Sequence, residues 1–326
     1  MTQLKLLVAP DLHYCADLQG EVAALRSLLP PDEYDHMRDS QLFWHNELLV
    51  EQMDTMLAAL ARLAAQEQPD LLIFLGDVVN TNWPENVTRL AARLREFACP
   101  LTFVTGNHDI YLDAFDSRVQ EAITPGDFAT GMRYRLFGDV GLIFLDLFVR
   151  YESGGYHKWL HWQQGATGVD YRPQDVAAAI QLLADHPQTH FLVFGHFPMA
   201  EPAAELVQPG RKVGRNWPGG APLFQELARP GNLMGIITGH QHFAHLQWTA
   251  HGFHWTLPAL VEYPCAAAIV EVDDITVSGR LVLPAPHLAQ RSIQATRQIW
   301  TYGADADRHF AWRYRKPSYA GQTSTT

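Results

Sequence analysis

The hydrophobic residues of this chain fall into short continuous runs, and each run ends abruptly at a polar residue. Apolar residues that follow one another without alternation are typical of strands buried on both faces of a largely parallel sheet. The pattern therefore predicts strands over residues 3–10, 70–75, 101–105, 190–194 and 233–238.

Between these runs, apolar residues recur at intervals of three and four, as they do on one face of an amphipathic helix. The clearest such stretch is residues 40–68, where Ser40 is a candidate N-cap. Helices are also predicted over residues 84–97, with Pro84 in the first turn, and over residues 173–184. Strands that alternate with helices in this way indicate an α/β fold.

A different pattern begins at residue 132. Residues 132–147 predict a β-hairpin around a turn at residues 138–141, which we interpret as the start of a second sheet. Later strand-like runs are expected to complete that sheet, and they occupy residues 243–249, 253–257, 266–272 and 275–283. Residues 150–172 and 200–222 show no period and are expected to be irregular. The predicted fold class is α/β, a four-layer αββα sandwich of two mixed β-sheets flanked by helices.

The domain organisation predicted from the sequence is simple, since the chain contains no internal repeat and no linker-like stretch. Residues 1–285 are expected to form one domain. Residues 286–326 mix histidine, arginine and aromatic residues without a clear face, and we expect them to be an extension packed on that domain. The tail from Ser318 is expected to be mobile.

Composition narrows the classes of function. The 326 residues carry a formal net charge of −11, which argues against a nucleic-acid polymer as partner, because binding to that backbone needs a basic surface. Only three cysteines occur, without Cys-x-x-Cys spacing, so a reducing compartment is expected. No stretch is long and apolar enough for a signal peptide or a membrane span. We therefore expect a cytoplasmic protein with no membrane partner, and the sequence carries no signal for an oligomeric state.

Side chains of the kind that bind metal ions follow the predicted strands. They are Asp11, His13, Asp77, Asn107, His196, His240 and His242. The carboxyl ends of strands in an open α/β sheet form the edge where ligands bind, so these side chains are expected to converge. Carboxylate, amide and imidazole ligands suit manganese, iron or zinc, and seven ligands are too many for one ion. If Asp77 bridges two ions, each ion receives four ligands, which is the arrangement of a two-metal hydrolase.

These residues belong to five motifs whose order resembles that of the calcineurin-like metallophosphoesterases. The motifs are Asp11-Leu12-His13, Gly76-Asp77, Gly106-Asn107-His108-Asp109, Gly195-His196 and Gly239-His240-Gln241-His242. The resemblance extends from residue 3 to about residue 272. It implies that Asp11, His13 and His242 hold the first ion. It also implies that Asn107, His196 and His240 hold the second ion, with Asp77 as the bridge.

The resemblance also implies catalytic roles for His108 and Asp109. His108 would not be a ligand but would face the substrate and protonate the leaving group, and Asp109 would orient it. A structural histidine is the alternative for His108. The implied cofactors are two divalent or mixed-valence metal ions, manganese and/or iron, with zinc as an alternative. The implied partner is a small phosphate-ester substrate, attacked by a metal-bridging hydroxide.

Within the family, the chain looks most like the bacterial class III cyclic nucleotide phosphodiesterases. The Asp-x-His opening and residues 257–264 carry this likeness, and the tyrosine of purple acid phosphatases is absent after Asp77. Two features depart from that subgroup: residues 195–198 replace its usual His-His-Pro-Pro, and residues 30–46 are extra. The predicted function is a dinuclear metal-dependent phosphodiesterase acting on small substrates such as cyclic nucleotides. The alternatives are a phosphomonoesterase of broad range and, more remotely, a non-catalytic metal-bound scaffold.

Two smaller features leave alternatives open. The basic residues Arg211, Lys212 and Arg215 form either a lid that binds anionic substrate or a solvated loop. Cys15 either lines the site or is a buried inert thiol.

Overall fold

The chain folds into two mixed six-stranded sheets that stack face to face between layers of helices. A computed structural model describes residues 4–29, 31, 34–35, 52–110, 131–157, 166–201, 223–296 and 299–314. The two sheets and their flanking helices confirm the predicted four-layer αββα architecture.

Three of the described helices lie where the amphipathic pattern predicts them. The described helices are α1 Leu18–Leu28, α2 Met53–Glu67, α3 Pro84–Leu94, α4 Pro173–Asp185, α5 Leu223–Ala228, α6 Pro286–Thr296 and α7 Asp305–Arg308. Helix α1 begins at an Asp17 N-cap, whose side chain accepts hydrogen bonds from the backbone N–H groups of Gln19 and Gly20. Proline occupies the first helical position of α3, as its fixed φ favours.

The described strands are short and mostly buried. They are β1 Leu4–Ala9, β2 Leu71–Phe74, β3 Leu101–Phe103, β4 Met132–Phe137, β5 Val140–Leu145, β6 Leu147–Tyr151, β7 Tyr156–His157, β8 Ala166–Tyr171, β9 His190–Gly195, β10 Leu233–Thr238, β11 His245–Thr249, β12 Gly252–Thr256, β13 Ala267–Val272, β14 Thr276–Val282 and β15 His309–Arg313. The first sheet has the order β15-β14-β13-β1-β2-β3, and the second has the order β11-β12-β10-β9-β5-β4.

Parallel pairing brings the carboxyl ends of the central strands to one edge of each sheet. In the first sheet, β1, β2 and β3 are parallel neighbours. In the second, β9 lies between β5 and β10, again with parallel pairing on both sides. The loops that follow these strands therefore emerge together.

The core lies on both faces of each sheet, which explains why the strand sequences do not alternate. In β1, Leu7 packs with residues of α2, while Leu6 and Val8 pack between the sheets against residues such as Phe194. A third apolar cluster covers the outer face of the second sheet beneath α4 and α5. A strand buried in this way needs apolar residues at every position.

The later strands correct one expectation about sheet membership. Residues 266–272 and 275–283 were expected in the second sheet, but β13 pairs antiparallel with β1, and β14 extends the first sheet. Strand β15, in residues predicted to have no clear face, forms the outer strand of that sheet. An apolar run predicts a strand but does not identify its neighbour, because pairing depends on tertiary packing.

Part of residues 150–172 also differs from the expected irregular structure. Strands β6, β7 and β8 form a small antiparallel sheet of order β7-β6-β8. The pairing shifts register between Arg150 and Tyr151, and such an irregularity breaks the alternation by which a strand is recognised.

Several expectations fall outside the described residues. These are the N-cap Ser40, the basic cluster Arg211, Lys212 and Arg215, and the tail from Ser318. Among the helices that the structure describes, none combines the length and apolar character needed to cross a bilayer.

Phe310 on β15 allows the packing of the first sheet's edge to be tested. Its ring is 9% exposed and lies 4.7 Å from the ring centroid of Phe253 and 5.2 Å from that of Trp255. We expect Phe310→Ala to lower the free energy of unfolding by about 3–5 kcal/mol, because it leaves a cavity between aromatic rings. Ala311→Ser, at the neighbouring exposed position, serves as the control and should change stability by less than about 0.5 kcal/mol. Equal denaturant midpoints for the two variants would contradict this packing.

Candidate metal centre

All seven residues predicted as metal ligands lie in loops at the shared edge of the two sheets. Asp11 and His13 follow β1, and Asp77 follows β2. The others follow the remaining parallel strands: Asn107 follows β3, His196 follows β9, and His240 and His242 follow β10. Six of the seven are buried, and His240 is partly exposed.

The backbone adopts an unfavourable conformation at five of these residues. Their φ angles are 40° at Asp11, 46° at His13, 47° at Asp77, 69° at His240 and 55° at His242. A positive φ costs an L-residue on the order of 1–3 kcal/mol and persists only where the surroundings enforce it. Backbone pairing between the loops supplies such enforcement, since the His13 N–H donates to the Asp77 carbonyl over 2.8 Å.

Two glycines let these loops approach one another closely. A Cβ atom on Gly106 would lie 2.2 Å from both the backbone nitrogen and Oδ1 of Asp77. A Cβ atom on Gly239 would lie 2.3 Å from Oδ2 of Asp11. Glycine is required at both positions because any side chain would displace a neighbouring carboxylate.

One cluster of potential ligands consists of Asp11, His13 and His242. One donor atom from each lies within 4.8 Å of the others. The Nε2 atom of His242 is 3.3 Å from Oδ1 of Asp11 and 3.3 Å from Nε2 of His13. The structure thus brings together residues that are 229 positions apart in the chain.

A second cluster consists of Asp77, His196 and His240, again with donor atoms within 4.8 Å of one another. The Nε2 atom of His196 lies 3.1 Å from Oδ2 of Asp77 and 3.2 Å from the Asn107 side-chain oxygen. The same Oδ2 of Asp77 lies 3.6 Å from Nε2 of His13, which belongs to the first cluster. Asp77 therefore lies between the two clusters.

His108 is buried beside Asp77 and is held by two hydrogen bonds. Its backbone N–H donates to Oδ1 of Asp77 over 2.7 Å, and its ring Nδ1 donates to the Asn80 carbonyl over 2.7 Å. Its ring packs edge-on against that of His13 at 4.5 Å between centroids. His108 also forms a third group of potential ligands with His13 and Asp77.

Asp109 supports the loop that carries His108. Its carboxylate accepts hydrogen bonds from the backbone N–H groups of Val78 at 2.9 Å, Val79 at 3.2 Å and Gly106 at 2.8 Å. Burial and the charge of Asp77 raise the pKa of Asp109 to about 7. Through these contacts Asp109 ties the loop after β2 to the loop after β3.

Opposing effects set the protonation of the buried groups. Burial alone would raise the pKa of Asp77, but the charges of His196 and His108 lower it well below its ordinary value. Burial would lower the pKa of His196, yet Asp77 raises it to about 9. For His240, burial and the charge of His196 lower the pKa well below its usual range. Buried carboxylates, an amide oxygen and imidazoles in this arrangement fit divalent cations with a preference for oxygen and nitrogen donors.

Glu262 is a site residue that the sequence motifs did not single out. Nδ1 of His242 donates to its carboxylate over 2.5 Å, an arrangement that orients a metal-binding imidazole. Two hydrogen bonds join the adjacent Tyr263 to residues in the C-terminal part of the chain. Its N–H donates to Ser292 Oγ over 2.9 Å, and its carbonyl accepts from Thr301 Oγ1 over 2.8 Å.

Asp146 is a second acid that the motifs missed. It follows β5, accepts a hydrogen bond from the Thr105 N–H over 2.9 Å, and forms an ion pair with Arg133 at 3.0 Å. Burial raises the pKa of Asp146, although Arg133 opposes this shift. Glu262 and Asp146 each stand alone outside the five motifs. The available signal for Glu262 was its place in residues 257–264, the segment that follows the last motif after β11 and β12.

The sequence profile of the family described as calcineurin-like phosphoesterase matches residues 4–244. No curated protein matches the chain by sequence.

Two solved structures illustrate the likeness in fold. A dimetal phosphatase from Danio rerio superposes with a TM-score of 0.61 at 13% identity, covering 97% of this chain and 100% of that one. Purple acid phosphatase PPD1 from yellow lupin (Lupinus luteus) seeds superposes with a TM-score of 0.51 at 12% identity, covering 95% of this chain and 54% of that one. At these identities the structural likeness concerns the fold alone. The family match, which covers most of the chain, shows that this protein belongs to the calcineurin-like phosphoesterases, hydrolases in which a binuclear metal centre is expected.

Proposed function

We propose that this protein is a dinuclear metal phosphodiesterase that hydrolyses small phosphate diesters such as cyclic nucleotides. The observation that supports it most directly is the placement of Asp77 between two clusters of ligand atoms, with His108 beside them. Seven ligands, one of which is the shared carboxylate of Asp77, suit two ions rather than one.

The ligand assignment follows the two clusters. Asp11, His13 and His242 would hold the first ion. Asn107, His196 and His240 would hold the second ion, and Asp77 would be shared by the pair. The donors favour manganese and/or iron, with zinc as the alternative. When bound, the ions supply Lewis-acid activation of water and of the phosphoryl group.

His108 acts as the general acid in this proposal. Its Nδ1 donates to the Asn80 carbonyl, which can only accept, so the proton available for transfer lies on Nε2. A ribose alkoxide is too basic to depart without that proton. Asp109 holds the loop of His108 through backbone hydrogen bonds and so fixes the position of the acid.

The preference for diesters is supported by the likeness to class III cyclic nucleotide phosphodiesterases in the Asp-x-His opening and residues 257–264. A phosphomonoesterase of broad range is the second candidate, because the two similar structures are described as phosphatases. A non-catalytic scaffold is disfavoured, since a scaffold has no use for an acid at His108.

One assay distinguishes these functions. The manganese-loaded protein is tested against p-nitrophenyl phosphate, bis-p-nitrophenyl phosphate and a panel of cyclic nucleotides. A higher kcat/KM for the diester and for at least one cyclic nucleotide supports the phosphodiesterase. Faster turnover of the monoester favours the phosphomonoesterase, and no turnover of any ester by protein that holds two ions favours the scaffold.

Gly106→Ala tests the dependence of both ions on Asp77. The added methyl group would collide with the Asp77 backbone and carboxylate, so we expect lower occupancy of both metals and an activity loss of at least tenfold. Metal content by mass spectrometry and kcat provide the measurements. Gly138→Ala is the control, because a Cβ atom there meets no neighbour, although its φ of 63° carries a strain of about 1 kcal/mol. A wild-type protein that is fully active with one ion would contradict the dinuclear assignment.

His108→Ala tests the general acid. We expect both metals to remain and the rate on a cyclic nucleotide to fall by about 10²–10⁴. The rate on bis-p-nitrophenyl phosphate should fall much less, because p-nitrophenolate departs without a proton. An equal loss on both esters with metals retained argues against a proton donor. Loss of one metal would make His108 a ligand, as its proximity to His13 and Asp77 allows.

A further inference from the structure

Glu21 is a buried acid that is not one of the predicted metal ligands, and a single residue, Asn80, links it to His108. Glu21, on the first turn of α1, is fully buried. Its carboxyl group accepts hydrogen bonds from the Asn80 amide, with 3.2 Å to each oxygen, from the Thr81 hydroxyl, and from Cys15 Sγ at 2.8 Å. A carboxyl group removed from water is tolerated only when such partners satisfy it. The cluster of Glu21, Asn80, Thr81 and Cys15 is therefore a specific polar structure inside the fold.

Asn80 connects this cluster to the catalytic loop. Its side-chain amide donates to Glu21, and its backbone carbonyl accepts from Nδ1 of His108 over 2.7 Å. Its backbone N–H donates to the Tyr14 carbonyl over 2.9 Å. Hydrogen bonds thus hold Asn80 at its side-chain amide, its backbone N–H and its carbonyl, and the carbonyl is the group that accepts from His108.

The segment around Asn80 needs this support because it lies outside helices and strands. Residues 75–83 lie between β2 and α3, with an isolated β-bridge between Tyr14 and Val79. A carbonyl in such a segment changes direction when its peptide plane rotates, unless side chains fix the plane. A second contact supports the next residue, since Nδ2 of Asn86 donates to the Thr81 carbonyl over 3.3 Å.

We propose that Glu21 is a positioning residue for His108, acting through Asn80. Glu21 fixes the direction of the Asn80 carbonyl, and that carbonyl keeps the proton on Nδ1 and the ring pointed so that Nε2 meets the leaving oxygen. The inference rests on the proposed role of His108 as general acid. A misplacement of about 1 Å can cost a reaction about 10²-fold, so a buried acid that acts through Asn80 affects the rate through geometry alone.

The kinetic test compares Glu21→Ala and Glu21→Gln with the matched control Glu67→Ala. Glu67 is also a carboxylate with several partners, Lys5 and Arg280, at the end of α2 away from the catalytic loop. With manganese-loaded protein we expect Glu21→Ala to keep both metals and to lose about ten- to a hundredfold in kcat on a cyclic nucleotide. On bis-p-nitrophenyl phosphate the loss should be a few-fold at most. Glu21→Gln keeps one acceptor oxygen and should lose less, and Glu67→Ala should not discriminate between the two esters.

A double variant separates positioning from general damage to the fold. In a His108→Ala background, Glu21→Ala should cause little further loss on the cyclic nucleotide, because the residue it positions is already absent. Equal losses of the single variant on both esters, or the same loss with and without His108, would overturn the proposal. If Glu21→Ala does not fold, the losses on the two esters, with and without His108, are compared for Glu21→Gln instead, and the expected effect is smaller.

A spectroscopic readout keeps this inference distinct from the proposed function. In zinc-loaded protein, the nitrogen-15 shifts of the His108 ring, assigned by their loss in His108→Ala, should show a proton on Nδ1 in both the charged ring, which also carries the transferable Nε2 proton, and the neutral ring. Glu21→Ala should shift the neutral ring toward a mixture of tautomers, and Glu67→Ala should not. An unchanged His108 signal in both Glu21 variants overturns the link from Glu21 to His108. If His108→Ala proves indifferent to the leaving group, the general-acid role fails, and the spectra still decide whether Glu21 sets the ring.

Discussion

The carboxylate of Asp77 is the group on which the rest of the site depends. It is 2% exposed, lies within 3.1–3.6 Å of imidazoles from both ligand clusters, and accepts the backbone N–H of His108. Such a dense group of charged side chains cannot assemble unless each backbone is already fixed, because its members repel or attract one another over the same few ångströms. The parallel strands supply that fixed frame. The positive φ angles at five of the predicted ligands are the local strain that the frame sustains.

The sequence predicted the convergence of these side chains because each one lies in the loop that follows a buried strand. The rule that parallel strands end at one edge turned five separate motifs into one expected site, and the structure brings Asp11, Asp77 and His196 together there. The pairing of the strands was harder to predict from the sequence. Strands β13 and β14 were assigned to the wrong sheet, because an apolar run contains no information about which neighbour it pairs with. The small sheet of β6, β7 and β8 was missed because its register shift removes the alternation.

Three buried acids support the loops of the site without belonging to any motif. Glu262 orients His242, Asp146 holds the backbone of Thr105, and Glu21 holds the side chain of Asn80. Each comes from a different part of the chain, and each forms hydrogen bonds that depend on the completed fold. A lone acid in a sequence is far more often solvated than buried, so Glu21 had no local signal. Asp146, directly after β5, and Glu262, within residues 257–264, had a signal for their place in the fold but none for their hydrogen-bond partners. Their identification required the tertiary structure.

The distance along the chain between His13 and His242 has a consequence for biosynthesis. The 229 positions that separate them take roughly 10–45 s to translate at about 5–20 residues per second. During that interval the nascent chain presents Asp11 and His13 without their partner, and Glu262 emerges later still. Under the proposed assignment, the ligands of the first ion are complete only after residue 242 has been synthesised. Binding of that ion would then follow the synthesis of both β1 and β10, and it would join two parts of the chain that are made at different times.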